Sequence, residues 1–193
     1  MIVVADATPL RYLVFIGAEH ALAGIFGTVH APPEVLRIEL QGKKTPQIVK
    51  DWASSPPSWL IEKGPARIDE TLPEKLHKGE IEAISLAQEL GADFLLMDDW
   101  AARRAATARG FKVAGTLAIL EEAAVRGLLE IEPTVEKLRA TNYYASEDQY
   151  KSMIENVGSR NQAREAEQAR PPAPEQKRAP EQDDERKQQR GRE

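Results

Sequence analysis

Apolar residues come along this chain in short blocks, each closed by acids or by glycine. Ile2-Val3-Val4-Ala5 is a mostly β-branched run that ends in Asp6, and Phe94-Leu95-Leu96-Met97 is a second run that ends in Asp98-Asp99. Continuous short apolar runs are what strands buried on both faces of a parallel sheet show. Between the blocks the pattern is helical. Thr8-Pro9 suits a helix start, with Thr8 as cap and Pro9 in the first position, running to about residue 16 before Gly17. Residues 19–26 predict a second short helix closed by Gly27, and residues 28–30 a short strand. Pro32-Pro33 then starts a helix at Glu34 that carries Val35, Leu36, Ile38 and Leu40 towards a core. As an α-helix it sets Glu34 and Glu39 about 140° apart, so only one of them points at any given place.

Residues 41–76 are broken by Pro46, Pro56, Pro57, Pro65 and Pro73, and carry only a short helix near 47–53 and an extended piece at 59–62. Leu76 to Arg104 is more orderly. Gly79 breaks the preceding segment, residues 80–90 predict a helix, and Gly91 is placed to close it. Glu80 stands in the first turn, about 16 Å from the helix end at about 1.5 Å per residue. If this helix packs antiparallel to the strand at 94–97, Glu80 comes to the strand's carboxyl end, beside Asp98. That edge is where ligands bind in open α/β sheets.

Further on, residues 112–114 predict a strand, Gly115-Thr116 opens a helix over 117–126, and two more helical segments fall near 134–140 and 146–156. Strands alternating with helices imply a three-layer α/β/α domain with a central, mainly parallel sheet. It spans residues 1–158 and includes the C-terminal helix pair. From residue 159 to 193 no apolar residue is larger than alanine, and four prolines are spread among many charged and glutamine residues. A segment of that composition is expected to be a disordered tail.

Composition narrows the chemistry. With nine basic and eight acidic residues in the tail, the first 158 residues keep 17 basic and 23 acidic side chains. So acidic a domain is not a generic nucleic-acid coat. There is no cysteine, which excludes disulfides and thiolate metal sites. No signal peptide or membrane-length apolar run is seen, so a soluble, cytoplasmic protein is expected. Asp6, Glu80 and Asp98, joined by Glu39 or Asp99, would repel one another in one small volume unless a cation intervenes. Oxygen-only ligands select a hard ion, Mg²⁺ or Mn²⁺, and such ions at a sheet mouth suit phosphoryl chemistry.

At these residues the chain resembles PIN-domain proteins. The resemblance rests on Asp6-Ala7-Thr8-Pro9-Leu10, Pro33 to Leu40, Gly79-Glu80-Ile81-Glu82-Ala83-Ile84, Asp98-Asp99 with Ala102-Arg103, and Gly115-Thr116-Leu117. It is closest to the uncharacterised, VapC-like and DUF3368-like branch and covers about residues 1–158. The resemblance implies a Mg²⁺- or Mn²⁺-dependent ribonuclease. Its metal ligands are Asp6, Glu80 and Asp98, with Glu39 matching a further acid, and Asp99 and Arg103 matching this branch. Thr8 replaces the usual serine, and Glu80 stands where many PIN nucleases carry aspartate. The implied partners are RNA, an antitoxin protein in a prokaryotic toxin–antitoxin pair, and a second copy in a homodimer.

Several residues have two uses at this level. Asp6 suits an Asx turn as well as a metal, Asp99 suits a helix cap, and Glu80 suits the helix dipole. Arg103 suits either a substrate phosphate, where Thr8 also stands, or the positioning of Asp98 or Asp99. Glu82, about 200° round the helix from Glu80, is expected to pair with a surface base. His20, His30 and His77 are isolated and are not read as catalytic. The catalytic reading makes Asp6, Glu80 and Asp98 hold metal while Glu39 or Asp99 completes the shell or orients water. The alternatives are a non-catalytic PIN-like interaction or RNA-binding module, and an aspartyl-phosphate protein.

Overall fold

The computed structural model describes residues 1–168. Five strands, β1 (Val3–Ala5), β2 (Val29–Ala31), β3 (Leu60–Glu62), β4 (Phe94–Leu96) and β5 (Lys112–Ala114), form one sheet in the order β3-β2-β1-β4-β5, with every neighbouring pair parallel. The chain lays strands outward on one side of β1 and then crosses back to add β4 on the other. That reversal makes a crevice at the carboxyl ends of β1 and β4, the place where doubly wound sheets bind ligands.

The register fixes what stands there. Ala5 is paired with Leu96, and the Asp6 N–H continues the ladder to the Leu96 carbonyl at 2.8 Å. Asp6 and Asp98 therefore follow adjacent strands on the same edge, as expected.

Alternation along the strands builds the layers. Val3, Ala5 and Leu96 face a core made by α1 (Ala7–Phe15), α2 (His20–Phe26), α3 (Gln47–Ser54), α6 (Thr116–Val125), α7 (Ile131–Arg139) and α8 (Glu147–Gln168). Val4, Leu95 and Met97 face the other core, with α4 (Lys78–Leu90) and α5 (Trp100–Thr107). Each fully buried Leu or Ile contributes about 1.5–3 kcal/mol relative to exposure. Two such cores let the sheet edge carry buried acids without losing the fold. The three-layer α/β/α architecture is as the residue pattern implied, and its sheet is wholly parallel. Among the described residues no helix is long and apolar enough to cross a membrane.

Four local expectations are corrected. The helix after β1 begins at Ala7 with Asp6, not Thr8, in the cap position. Gly79 is not a break but lies in the first turn of α4. The segment after Pro33 is a π-helix, Glu34–Glu39, rather than an α-helix. Finally, α8 runs to Gln168 and passes the boundary expected at Gly158. No apolar stripe marks that extension. Arg160 meets Glu121 at 3.3 Å and Glu122 at 2.7 Å, and Arg164 donates to the Val125 carbonyl, so polar contacts with α6 guide it. The rest of the expected tail, residues 169–193, lies outside the described residues.

Candidate active site

The π-helix decides where Glu39 goes. In a π-helix each amide bonds the carbonyl five residues back, as the Leu40 N–H does to Val35 at 3.0 Å, so residues five apart stand about one turn apart on nearly the same side. Glu34 and Glu39 consequently both face the start of α4. Glu34 Oε2 meets Lys78 Nζ at 2.6 Å, and Glu39 Oε1 accepts the Gly79 N–H at 3.1 Å. The 140° separation assumed for an α-helix does not apply. Glu82 behaves as expected of a surface partner, 3.8 Å from Lys78 Nζ.

This contact explains Gly79. A Cβ there would lie 2.4 Å from Glu39 Oε1, so only a bare backbone lets the carboxylate dock on the helix start. Gly79→Ala is expected to change stability by less than about 1 kcal/mol, because alanine's helix preference offsets the lost hydrogen bond. It should nevertheless displace Glu39 and weaken Mn²⁺ binding by about 10-fold, within the range for disturbed supports of metal ligands. Urea unfolding and a Mn²⁺ titration followed by melting temperature separate the two effects.

Glu80, also buried, is one residue further. Its Oε2 accepts the His77 N–H at 2.8 Å, the reach-back half of a capping box. Capping thus uses one oxygen of Glu80 and leaves Oε1 for other work.

Asp6 is the most confined of the acids. It is 3% exposed, and its Oδ1 has no hydrogen-bond partner among the described residues. Burial, with the charge of Glu39 next and that of Glu80 adding to it, pushes the carboxyl up to about 7 against the opposing Ala7 and Thr8 amides. Burial also raises Glu39 and Glu80, opposed by the Gly79 and His77 amides respectively. Glu80 feels the charges of Asp99 and Glu39 as well. Asp6, Glu39, Glu80 and Asp99 therefore form one electrostatic group.

Asp98 is gripped by the protein through both carboxylate oxygens. Its Oδ1 accepts the Thr116 N–H at 2.9 Å and the Tyr143 hydroxyl at 3.0 Å, and its Oδ2 accepts the Thr116 hydroxyl at 2.6 Å. With two lone pairs per oxygen, Oδ1 is saturated and Oδ2 keeps one site. Burial, then the Asp98 charge, pushes the Tyr143 hydroxyl above its ordinary ionisation range, which keeps it protonated and a donor. Gly115 makes the grip possible, since a Cβ there would come 2.7 Å from Asp98 Oδ1 and 2.6 Å from Arg103 Nη1.

The remaining candidates divide. Asp99 Oδ1 caps α5, accepting from the Ala101 and Ala102 amides at 2.8 and 2.9 Å, so its capping use is realised alongside its coupling to Glu80. Arg103 Nη1 donates to the Met97 carbonyl at 3.3 Å, and among the described residues Arg103 makes no ion pair with Asp98 or Asp99. Thr8, partly exposed, sits two residues past Asp6 in the first turn of α1. The holds of Thr116 and Tyr143 on Asp98 were not foreseen. Thr116 is visible in sequence only as a helix opening. Tyr143 lies 45 residues from Asp98 in the loop between α7 and α8, where no periodicity marks it.

Among the described residues no three Asp, Glu or His side chains are arranged as a ready metal site. Glu39, Glu80 and Asp98 each commit at least one oxygen to the protein. The donor chemistry still fits a hard divalent cation. The buried, orphaned Asp6 oxygen is what such an ion satisfies, and every candidate ligand is an oxygen.

An all-parallel sheet with carboxylates gathered at its switch point defines an α/β protein with an acidic sheet-edge centre. A family model described as a PIN domain, DUF3368, matches residues 2–159, and the chain belongs to that family. PIN domains are generally nucleases and typically use divalent metals. No curated protein matches the chain.

Proposed function

We propose that this protein is a metal-dependent endoribonuclease that hydrolyses an RNA phosphodiester at the carboxyl ends of β1 and β4. The observation that carries this reading is Asp6, a buried carboxylate with an orphaned oxygen and two further acids beside it. Such an arrangement is costly unless a cation neutralises it. Asp6, Glu80 and Asp98 would hold Mg²⁺ or Mn²⁺, which when bound offsets charge at the phosphate and activates the attacking water. Glu39, set by the π-helix, or Asp99, set by the cap of α5, orients that water or completes the shell. Arg103 contacts a phosphate oxygen beside the cleaved bond, and Thr8 offers its hydroxyl to the substrate. Because the folded part is acidic, RNA affinity comes from basic residues at the rim or from a second subunit in a homodimer. The biological role is that of a cytoplasmic toxin restrained by an antitoxin protein, or a related RNA-processing nuclease.

The second reading, a non-catalytic PIN-like module that binds protein or RNA, is favoured by the engagement of Asp98 with Thr116 and Tyr143. A mixed pool of structured and single-stranded RNAs distinguishes the two. Cutting by the wild type with Mn²⁺ or Mg²⁺, blocked by EDTA and lost in Asp98→Asn, is the expected result. No cutting in any condition, with no metal-induced rise in melting temperature, would replace it by the binding module.

A further inference from the structure

Trp100 is out of character with the other tryptophans of this chain. Trp52 and Trp59 pack on each other with ring centroids 6.1 Å apart and join the core, whereas Trp100 is 66% exposed. It occupies the first position of α5, directly after Asp98-Asp99. At 3.8 Å per residue its Cα lies within about 7.6 Å of that of Asp98. Two cations lie over its ring. Lys75 Nζ stands 6.0 Å from the centroid and Arg104, one helical turn along α5, has its guanidinium 5.4 Å away. Among the described residues neither has a carboxylate within ion-pair distance.

Attraction between cations and the ring does not complete this arrangement. It leaves most of the indole in water and brings two like charges to one aromatic, which repel each other. A ligand with a flat π face and an adjacent anion answers both features at once. The flat face takes the place of the cations over the ring, and the anion pairs with Lys75 and Arg104 as they turn aside.

We propose that Trp100, Lys75 and Arg104 form a platform that stacks one unpaired nucleobase of the RNA and holds its phosphate, next to the bond that is cut. The identity of the strand rests on the ribonuclease reading above. In a duplex the base faces are covered by their neighbours, so this platform selects single-stranded segments, and it is tolerant of base identity because every base has a π face. Trp100 is a positioning residue. It touches the substrate away from the reacting atoms and sets which strand is presented to Asp6, Glu80 and Asp98.

Binding is measured with full-length protein carrying Asp98→Asn, which spares the RNA, using fluorescence anisotropy of a labelled, unstructured oligoribonucleotide and of a hairpin of equal length. Adding Trp100→Ala is expected to weaken the unpaired strand about 10-fold or more and the hairpin much less, with Trp100→Phe restoring most of the loss. Lys75→Ala with Arg104→Ala should flatten the dependence of log Kd on log salt by about 0.7 per lost phosphate contact. In the otherwise wild-type enzyme Trp100→Ala raises KM and leaves kcat nearly unchanged. Equal binding by parent and Trp100→Ala, no binding by the parent, or a fall in oligomeric mass with Trp100→Ala would each overturn the platform. Cleavage with unchanged KM removes the platform and keeps the nuclease. Trp100-dependent binding without cleavage removes the nuclease and keeps the platform.

Discussion

Asp6→Asn is expected to abolish cleavage and, in EDTA at pH 8, to raise the melting temperature. The carboxyl titrates near 3.8 in the unfolded chain and at about 7 in the folded protein. Between those values the folded state binds the extra proton. Its contribution to stability is therefore fully present below 3.8 and is lost as pH rises through about 7. Above that the protein holds a buried negative charge, one oxygen of it without a partner, beside Glu39 and Glu80. At about 1.36 kcal/mol per unit the penalty is on the order of 4 kcal/mol, and relaxation of the neighbours reduces it to about 2–4 kcal/mol.

Asparagine removes the charge and adds an N–H₂ that can donate to the adjacent carboxylates. The rise should be roughly 5–10 °C at pH 8 and small at pH 4, where wild-type Asp6 is already protonated. Manganese reverses the order. The wild type gains about 4.1 kcal/mol at a metal concentration about 1,000 times Kd, enough to offset that penalty, while Asp6→Asn gains little. Thermal melts at the two pH values, with EDTA and with Mn²⁺, test both halves. An Asp6→Asn protein that melts below wild type at pH 8 in EDTA would show that the charged carboxylate is satisfied by the fold itself.

Thr116→Val should be the most damaging change that touches no acid. Thr116 is fully buried, and its hydroxyl makes the short bond to Asp98 Oδ2. Valine keeps the shape and the backbone N–H bond but deletes a charge-assisted hydrogen bond, at about 1.5–3 kcal/mol. Asp98 is only partly buried, so the lower end of that range applies. Cleavage should fall further than stability, by about 10–100-fold, because the carboxylate is then free to turn away from its aligned position. Thr116→Ser keeps the hydroxyl and should recover most of the activity. Urea unfolding and single-turnover cleavage measure the two losses, and a serine variant as poor as valine would mean that packing, not the hydroxyl, is what Asp98 needs.

The acids at strand ends were legible because burial writes itself locally. A short, mostly β-branched run such as Ile2 to Ala5 reads as a buried strand, and a charge directly after it then stands at the sheet edge. The same logic located Asp98, and the start of α4 brings Glu80 within reach of the Asp99 charge. Glu39 was not legible in this way. Its direction depends on a π register, and nothing in Glu34 to Leu40 distinguishes that register from an α-helix until the segment packs against α4. Gly79 was misread for a related reason. Read alone it is a helix breaker, while its value lies in what its missing side chain admits from a segment 40 residues earlier.

The amino-acid sequence by itself determined the alternation of strands and helices, the placing of Asp6 and Asp98 on one edge, and membership of the PIN-domain family. Tertiary structure alone decided the grip of Thr116 and Tyr143 on Asp98, the orphaned oxygen of Asp6 and the docking of Glu39 on Gly79. Periodicity reports which face of an element is buried. It carries no information about which distant donor meets a given carboxylate, because that is settled only when the layers close.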